Sequence, residues 1–84
     1  MYTTYILQNS FTKRHYIGST SDLDRRFAEH NRGQNKSTRQ KGTWILVFKE
    51  EFKTFEQAYK REKQIKSYKG GNAFKKLIAG VVQR

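Results

Sequence analysis

Cysteine and proline are absent from the 84 residues, and tryptophan and methionine occur once each. Without cysteine there is no disulfide, no thiolate zinc site and no thiol nucleophile. Two histidines, His15 and His30, are too few to complete a zinc site. Long apolar runs are missing too. The longest, Trp-Ile-Leu-Val-Phe at residues 44–48, falls far short of the ~20 residues that span a bilayer. The start, Met1-Tyr2-Thr3-Thr4, has neither the charged nor the apolar region of a signal peptide, so a cytoplasmic location is expected. Acids are scarce: seven Asp and Glu face eighteen Lys and Arg, for a formal net charge of +11.

That charge on so small a body repels itself and is screened best by a polyanion. Nucleic acid is therefore the expected partner, with no membrane and no obligate protein partner. A merely soluble basic surface is the alternative. The length predicts one domain over residues 1–84 with a thin core. Six Phe and five Tyr supply much of that core, because large flat side chains bury area efficiently.

Thr4-Tyr5-Ile6-Leu7 and His15-Tyr16-Ile17 are β-branched and aromatic, and the polar stretch between them reads as a hairpin connection. Ser21 is a predicted N-cap for a helix over residues 22–31, with Asp22 and Asp24 in its first turn. Residues 33–42 form a basic polar loop without periodicity. Residues 44–48 are apolar on both alternating faces, as in a strand covered on each side. Thr54 and Gln57 make a capping box for a helix over residues 55–68, broken by Gly70-Gly71. Asn72 is the expected cap of a last helix reaching Ala79, stopped by Gly80. The order β-β-α-β-α-α predicts an α/β domain: a three-stranded antiparallel-type sheet flanked by helices.

Several residues sit oddly for a purely structural protein. On the first helix, Arg26 and His30 share the face of Leu23 and Phe27. On the second, Phe55, Ala58, Tyr59 and Ile65 form the expected apolar seam, and Glu62 lies within it. A carboxylate there costs several kcal/mol unless it is paired or holds a metal. The structural alternative is an internal ion pair with Arg26 or a lysine. Tyr5 and Tyr16 are an odd number of positions apart. Hairpin registers whose paired numbers have an odd sum therefore put both on one face, and a sum of 21 sets them opposite each other. Two aromatics simply packing across strands is the alternative reading.

Together these positions resemble the GIY-YIG nuclease superfamily, most closely its minimal single-domain branch of small bacterial proteins. Tyr16-Ile17-Gly18 matches the second signature intact, while Thr3-Thr4-Tyr5 stands where the first has Gly-Ile-Tyr, with ten residues between the tyrosines. The segment from Tyr16 to Asn31 is similar to the family's second strand and first helix, placing its arginine on Arg26 and its histidine on His30. The segment from Ala58 to Lys66 is similar to the helix bearing the metal-binding glutamate, which falls on Glu62. Two departures stand out. The loop after the first helix carries Ser37, Thr38 and Arg39 where some relatives have another histidine, and Asn72 is the only candidate for a C-terminal asparagine near the metal.

The resemblance implies a GIY-YIG-type fold and a metal-dependent endonuclease. Catalytic positions would be Tyr5, Tyr16, Gly18, Arg26, His30 and Glu62. With Glu62 the one acid on an apolar stripe, a two-metal site is not expected. A single Mg²⁺ (or Mn²⁺) held by that carboxylate, waters and phosphate is chemically acceptable. Tyr5 would be the general base, its phenolate favoured by Arg26, the metal and the positive field. Tyr16 would orient the water or hydrogen-bond its partner, Arg26 would neutralise charge on the phosphate, and His30 would relay or donate a proton. Gly18 would let the backbone pass close to substrate, or serve a simple turn.

Positive residues cluster in two stretches, six over residues 25–41 against Glu29, and seven over residues 60–76 against Glu62. Arg25, Arg32, Lys36, Arg39, Lys41, Lys60, Lys63, Lys66 and Lys69 are the expected phosphate contacts. No base-reading motif accompanies them, so the expectation is a structure-directed or weakly sequence-specific DNA endonuclease of the repair or recombination type. DNA or RNA is compatible with the charge. A catalytically weak nucleic-acid-binding module is the second reading. An RNA-binding or ribosome-associated protein is a third, which gives Glu62 no role.

Overall fold

The computed structural model describes residues 1–32 and 43–82, with side chains described for residues 1–32 and 43–78. The elements follow the expected order: β1 (Tyr2–Asn9), β2 (His15–Thr20), α1 (Leu23–Asn31), β3 (Trp44–Phe52), α2 (Phe55–Ser67) and α3 (Asn72–Val82). The three strands form one antiparallel sheet in the order β2-β1-β3. β1 is therefore central, and its residues are buried without interruption from Thr3 to Leu7. Among the described residues, no helix is long and apolar enough to cross a membrane. The predicted loop at residues 33–42 lies outside the described residues.

Alternation along β1 divides the core between the two sheet faces. Tyr5, Leu7 and Trp44 gather on one face with Tyr16, Leu23, Phe27 and Leu46, under α1. Ile6, Phe48, Ile65 and Phe74 gather on the other with Ile17, Val47, Tyr68, Leu77 and Ile78, under α2 and α3. Each large side chain fully buried in these clusters stabilises the fold by about 1.5–3 kcal/mol. Phe48 pairs with Ile6 and Leu46 with Leu7, so Val47 is an extra residue that bulges β3. The bulge explains how a run apolar at every position serves both clusters.

Local chemistry sets the ends of these elements. In the hairpin, the Asn9 side-chain oxygen accepts the N–H groups of Phe11 and Thr12, each at 2.9 Å, and the chain turns back through Lys13 at φ 64°. The cap of α1 is Asp22 and not Ser21. Its carboxylate accepts the Arg25 N–H at 3.2 Å, while Thr20 Oγ1 accepts the Asp22 N–H. A charged cap also favours the positive helix end, which an uncharged serine does less well. Thr54 and Gln57 form both halves of the predicted capping box. Lys69 (φ 50°) and Gly70 (φ 75°) turn the chain between α2 and α3.

Three further expectations are corrected. Asn72 is the first residue of α3 rather than its cap, because the Gly71 carbonyl receives the Lys75 N–H. The helix also passes through Gly80 to Val82, since one internal glycine costs only about 1 kcal/mol. On α2, the core takes Ala58 and Ile65, whereas Phe55 and Tyr59 are exposed. The buried side of that helix is rotated toward Arg61, Glu62 and Tyr68.

Candidate active site

In the centre of β1, Tyr5 pairs with Gly18 of β2, and Leu7 pairs with Tyr16. The paired numbers sum to 23, not 21, so the tyrosines share a face diagonally rather than directly. Their rings stack with centroids 6.3 Å apart at 26°. Gly18 makes room for this arrangement. A Cβ there would lie 2.7 Å from the Tyr5 hydroxyl oxygen, 2.9 Å from Cζ and 3.3 Å from Tyr16 Cε1. Gly18 is thus neither a turn glycine nor one chosen for positive φ. It leaves the space that the Tyr5 phenol fills.

His30, on the last turn of α1, is 2% exposed. Its Nε2 shares a hydrogen bond with the Tyr5 hydroxyl at 3.3 Å, and its ring lies 4.4 Å from that of Tyr16. One turn back on α1, the Arg26 guanidinium also interacts with the Tyr5 hydroxyl and pairs with Glu29 at 3.3 Å. Burial raises the Tyr5 phenol above its ordinary value of 10.0, with Tyr16 and Glu62 acting in the same direction. Arg26 opposes this without overcoming it. The expected phenolate is therefore not the resting form, because desolvation outweighs the nearby cation. Burial, followed by Arg26, holds His30 below the usual imidazole range, against a smaller opposing effect of Glu29.

Glu62 stands on the other side of the sheet. Thr4 and Ser19, paired across β1 and β2, both point toward α2. Thr4 Oγ1 donates to the Ala58 carbonyl at 2.7 Å, and Ser19 Oγ lies 3.2 Å from the same oxygen. Ser19 donates at 2.7 Å to Glu62 Oε1. Lys66 Nζ reaches Glu62 Oε2 at 2.7 Å. The carboxylate is only 13% exposed, while its lysine partner is 54% exposed. The ion pair foreseen as the structural alternative is therefore present, with Lys66 and not Arg26. Sequence reasoning did not single out Thr4 and Ser19. A small hydroxyl on each paired strand, on the face opposite Tyr5, was the available signal.

β2 is one edge of the sheet, with Tyr16 packed on the side of Tyr5 and Ser19 turned to Glu62 on the other. Tyr5, Tyr16, Gly18, Arg26 and His30 form one continuous group, and Glu62 is near enough to influence the Tyr5 phenol. Asn72 is exposed at the start of α3. Among the described residues, no group of three or more His, Asp or Glu gathers to hold a metal. The donor set is one carboxylate with a hydroxyl beside it. This fits an ion that keeps most of its water, as Mg²⁺ does, and does not fit a cage of six to eight protein oxygens.

Of the expected phosphate contacts, Arg25, Arg32, Lys60, Lys63, Lys66 and Lys69 are exposed. Arg25 pairs with Glu29 at 3.1 Å and Lys60 with Glu56 at 3.6 Å. The Lys60–Glu56 pair is exposed on both sides and worth at most about 1 kcal/mol, so a phosphate can compete for Lys60, and the Arg25 guanidinium is itself exposed to one. Lys36, Arg39 and Lys41 lie outside the described residues.

Comparison with known proteins identifies relatives of this chain. UPF0213 proteins of Staphylococcus aureus, strains Mu3 and N315 among them, are 41% identical over 54 residues. The match covers 63% of this chain and 66% of theirs, slightly under two thirds of the relatives' length. The solution NMR structure of a UPF0213 protein from Bacillus halodurans superposes with a TM-score of 0.54 at 30% identity. It covers 96% of this chain and 85% of its own. The family described as the GIY-YIG catalytic domain matches residues 1–75. This chain, with its two tyrosines stacked over a strand glycine, belongs to the GIY-YIG catalytic-domain family, whose function is of the nuclease type.

Proposed function

We propose that this chain is a metal-dependent endonuclease that hydrolyses phosphodiester bonds in DNA, structure-directed or of low sequence specificity, and suited to repair or recombination. The observation that carries this reading is the buried Tyr5–His30 hydrogen bond with Arg26 beside the phenol, and Glu62 held against the neighbouring strand by Ser19.

The chemistry requires an activated water and charge stabilisation at phosphorus. A neutral Tyr5 is a poor base by itself, because burial keeps its proton in place. Its contact with His30 supplies an alternative. As the Tyr5 oxygen takes a proton from the attacking water, its own proton passes to His30 Nε2. This requires a neutral imidazole protonated at Nδ1, and the lowered His30 pKa keeps the ring neutral at pH 7. Tyr16 holds the imidazole and phenol in place by ring contacts on both. Arg26 offers its planar fork to the phosphoryl oxygens. Glu62 would hold Mg²⁺ (or Mn²⁺), which when bound supplies Lewis-acid charge at the phosphate. Exposed Arg25, Arg32, Lys60, Lys63, Lys66 and Lys69 would follow the backbone, so affinity should fall steeply with salt.

The test is plasmid nicking with Mg²⁺ by wild type, Tyr5→Phe, Arg26→Ala and Glu62→Gln. Each variant is expected to lose at least about a hundredfold, consistent with the 10²–10⁴-fold contribution of positioned acid–base groups. Unchanged cleavage in all three sinks the assignment. The second reading, a binding module with little turnover, is favoured by the occupation of both Glu62 oxygens by Ser19 and Lys66. A Mg²⁺ titration separates the two: an enzyme needs the ion to turn over, and a binder gains little from it.

A further inference from the structure

Phe55 and Tyr59 remain 50% and 42% exposed although they continue the apolar pattern of α2. Their rings are nearly parallel, at 16°, with centroids 5.9 Å apart. Tyr2 braces Phe55 edge-on at 5.8 Å, and Lys63 Nζ lies 5.0 Å over the Tyr59 ring. Positions 55, 59, 62 and 66 follow one side of a helix. At 1.5 Å rise per residue, Tyr59 is about 4.5 Å and Phe55 about 10.5 Å along the axis from Glu62. The two rings thus form a short braced platform leading to the candidate metal-binding carboxylate.

The geometry points to this platform as a stacking surface for unpaired nucleobases, so that the substrate carries a single-stranded stretch of DNA beside the scissile phosphate. Charge decides the occupant. Lys63 lies over the Tyr59 ring, and exposed Lys53, Lys60 and Lys66 belong to the same segment, where they outnumber the Glu56 and Glu62 that pair with Lys60 and Lys66. Two half-exposed rings set among an excess of cations match a base face bordered by phosphates, the Lys63 ammonium over Tyr59 moving aside to a phosphate as a base stacks. A duplex presents only base edges and backbone to such a surface, because its base faces are already stacked on one another. Only the position of the strand relative to Glu62 rests on the proposed nuclease site; the stacking itself does not.

The test uses the full chain without metal. An oligodeoxyadenylate carrying one 2-aminopurine reports stacking by fluorescence quenching, and a hairpin duplex of equal charge serves as control. Tyr59→Leu and Phe55→Leu keep apolar bulk and lose the aromatic face. Each is expected to weaken single-strand binding roughly tenfold, as base–aromatic contacts generally do. Duplex binding should change less than about twofold, since phosphate contacts carry it. Tyr59→Phe should bind like wild type. Parallel loss on both DNAs, or a double leucine variant that still quenches normally, overturns the proposal. Glu62→Gln should bind and quench normally while failing to nick. Wild type that quenches 2-aminopurine but never nicks therefore refutes the nuclease reading alone.

Discussion

Replacing Gly18 with alanine probes the centre of the candidate site through a single methyl group. The new Cβ would sit 2.7 Å from the Tyr5 hydroxyl and 2.9 Å from Cζ, on a ring buried beneath α1. Overpacking of this kind costs about 1–3 kcal/mol. Alanine recovers about 0.5–1 kcal/mol by restricting the unfolded chain. The net loss is about 1–2 kcal/mol, which for a chain of this size lowers Tm by about 5–15 °C. Moving the phenol also separates it from His30 and Arg26, so nicking should fall with stability. Circular dichroism melts and plasmid nicking measure the two effects. Tyr5→Phe removes the closest of these contacts, so the double variant should be less destabilised than the sum of the singles, by about 1 kcal/mol. A Gly18→Ala protein that melts with wild type, or singles that add, would falsify the seating of Tyr5 against Gly18.

Three further outcomes are expected. Ser19→Ala leaves Glu62 Oε1 without its 2.7 Å donor, and urea unfolding should show a loss of about 1–2 kcal/mol, whereas Ser19→Thr, which keeps a hydroxyl, should lose less. Lys66→Ala removes the cation that competes at Glu62, so half-maximal nicking should need about two- to fivefold less Mg²⁺; an unchanged requirement means the pair does not guard that carboxylate. His30 is held below its usual pKa, so the unfolded chain binds the proton more readily. Stability should thus rise with pH through the interval from the lowered folded value up to about 6.5, and fall as pH drops through it. His15 contributes in the same direction. An NMR titration placing the His30 midpoint above 6.5 contradicts this.

Element order was legible in the sequence because periodicity and capping residues are local signals. The Thr54 box and the break at Gly70 depend on neighbours within a few positions. What could not be read there depends on partners distant in the chain. β3 extends through charged Lys49, Glu50 and Glu51 because β1 offers them paired partners from Tyr5 back to Thr3. The β1–β2 register is set by how tightly Tyr5 fits over Gly18, which no count of residues reveals. The face that α2 buries was misplaced for the same reason. Thr4 and Ser19 draw the Ala58 carbonyl and Glu62 onto the sheet, rotating Phe55 and Tyr59 outward. Tyr5, Arg26 and His30 were identified as candidates, but the balance that raises the phenol pKa depends on burial, a three-dimensional quantity.

The bonds that assemble this group span long stretches of chain: 25 residues between Tyr5 and His30, 43 between Ser19 and Glu62, and 54 between Thr4 and Ala58. No hairpin or lone helix released by local opening would carry a working fragment of it. Any hydrolytic power is therefore tied to the complete native state. A half-made or fraying copy lacks the assembled group, so cooperativity itself acts as the safety catch.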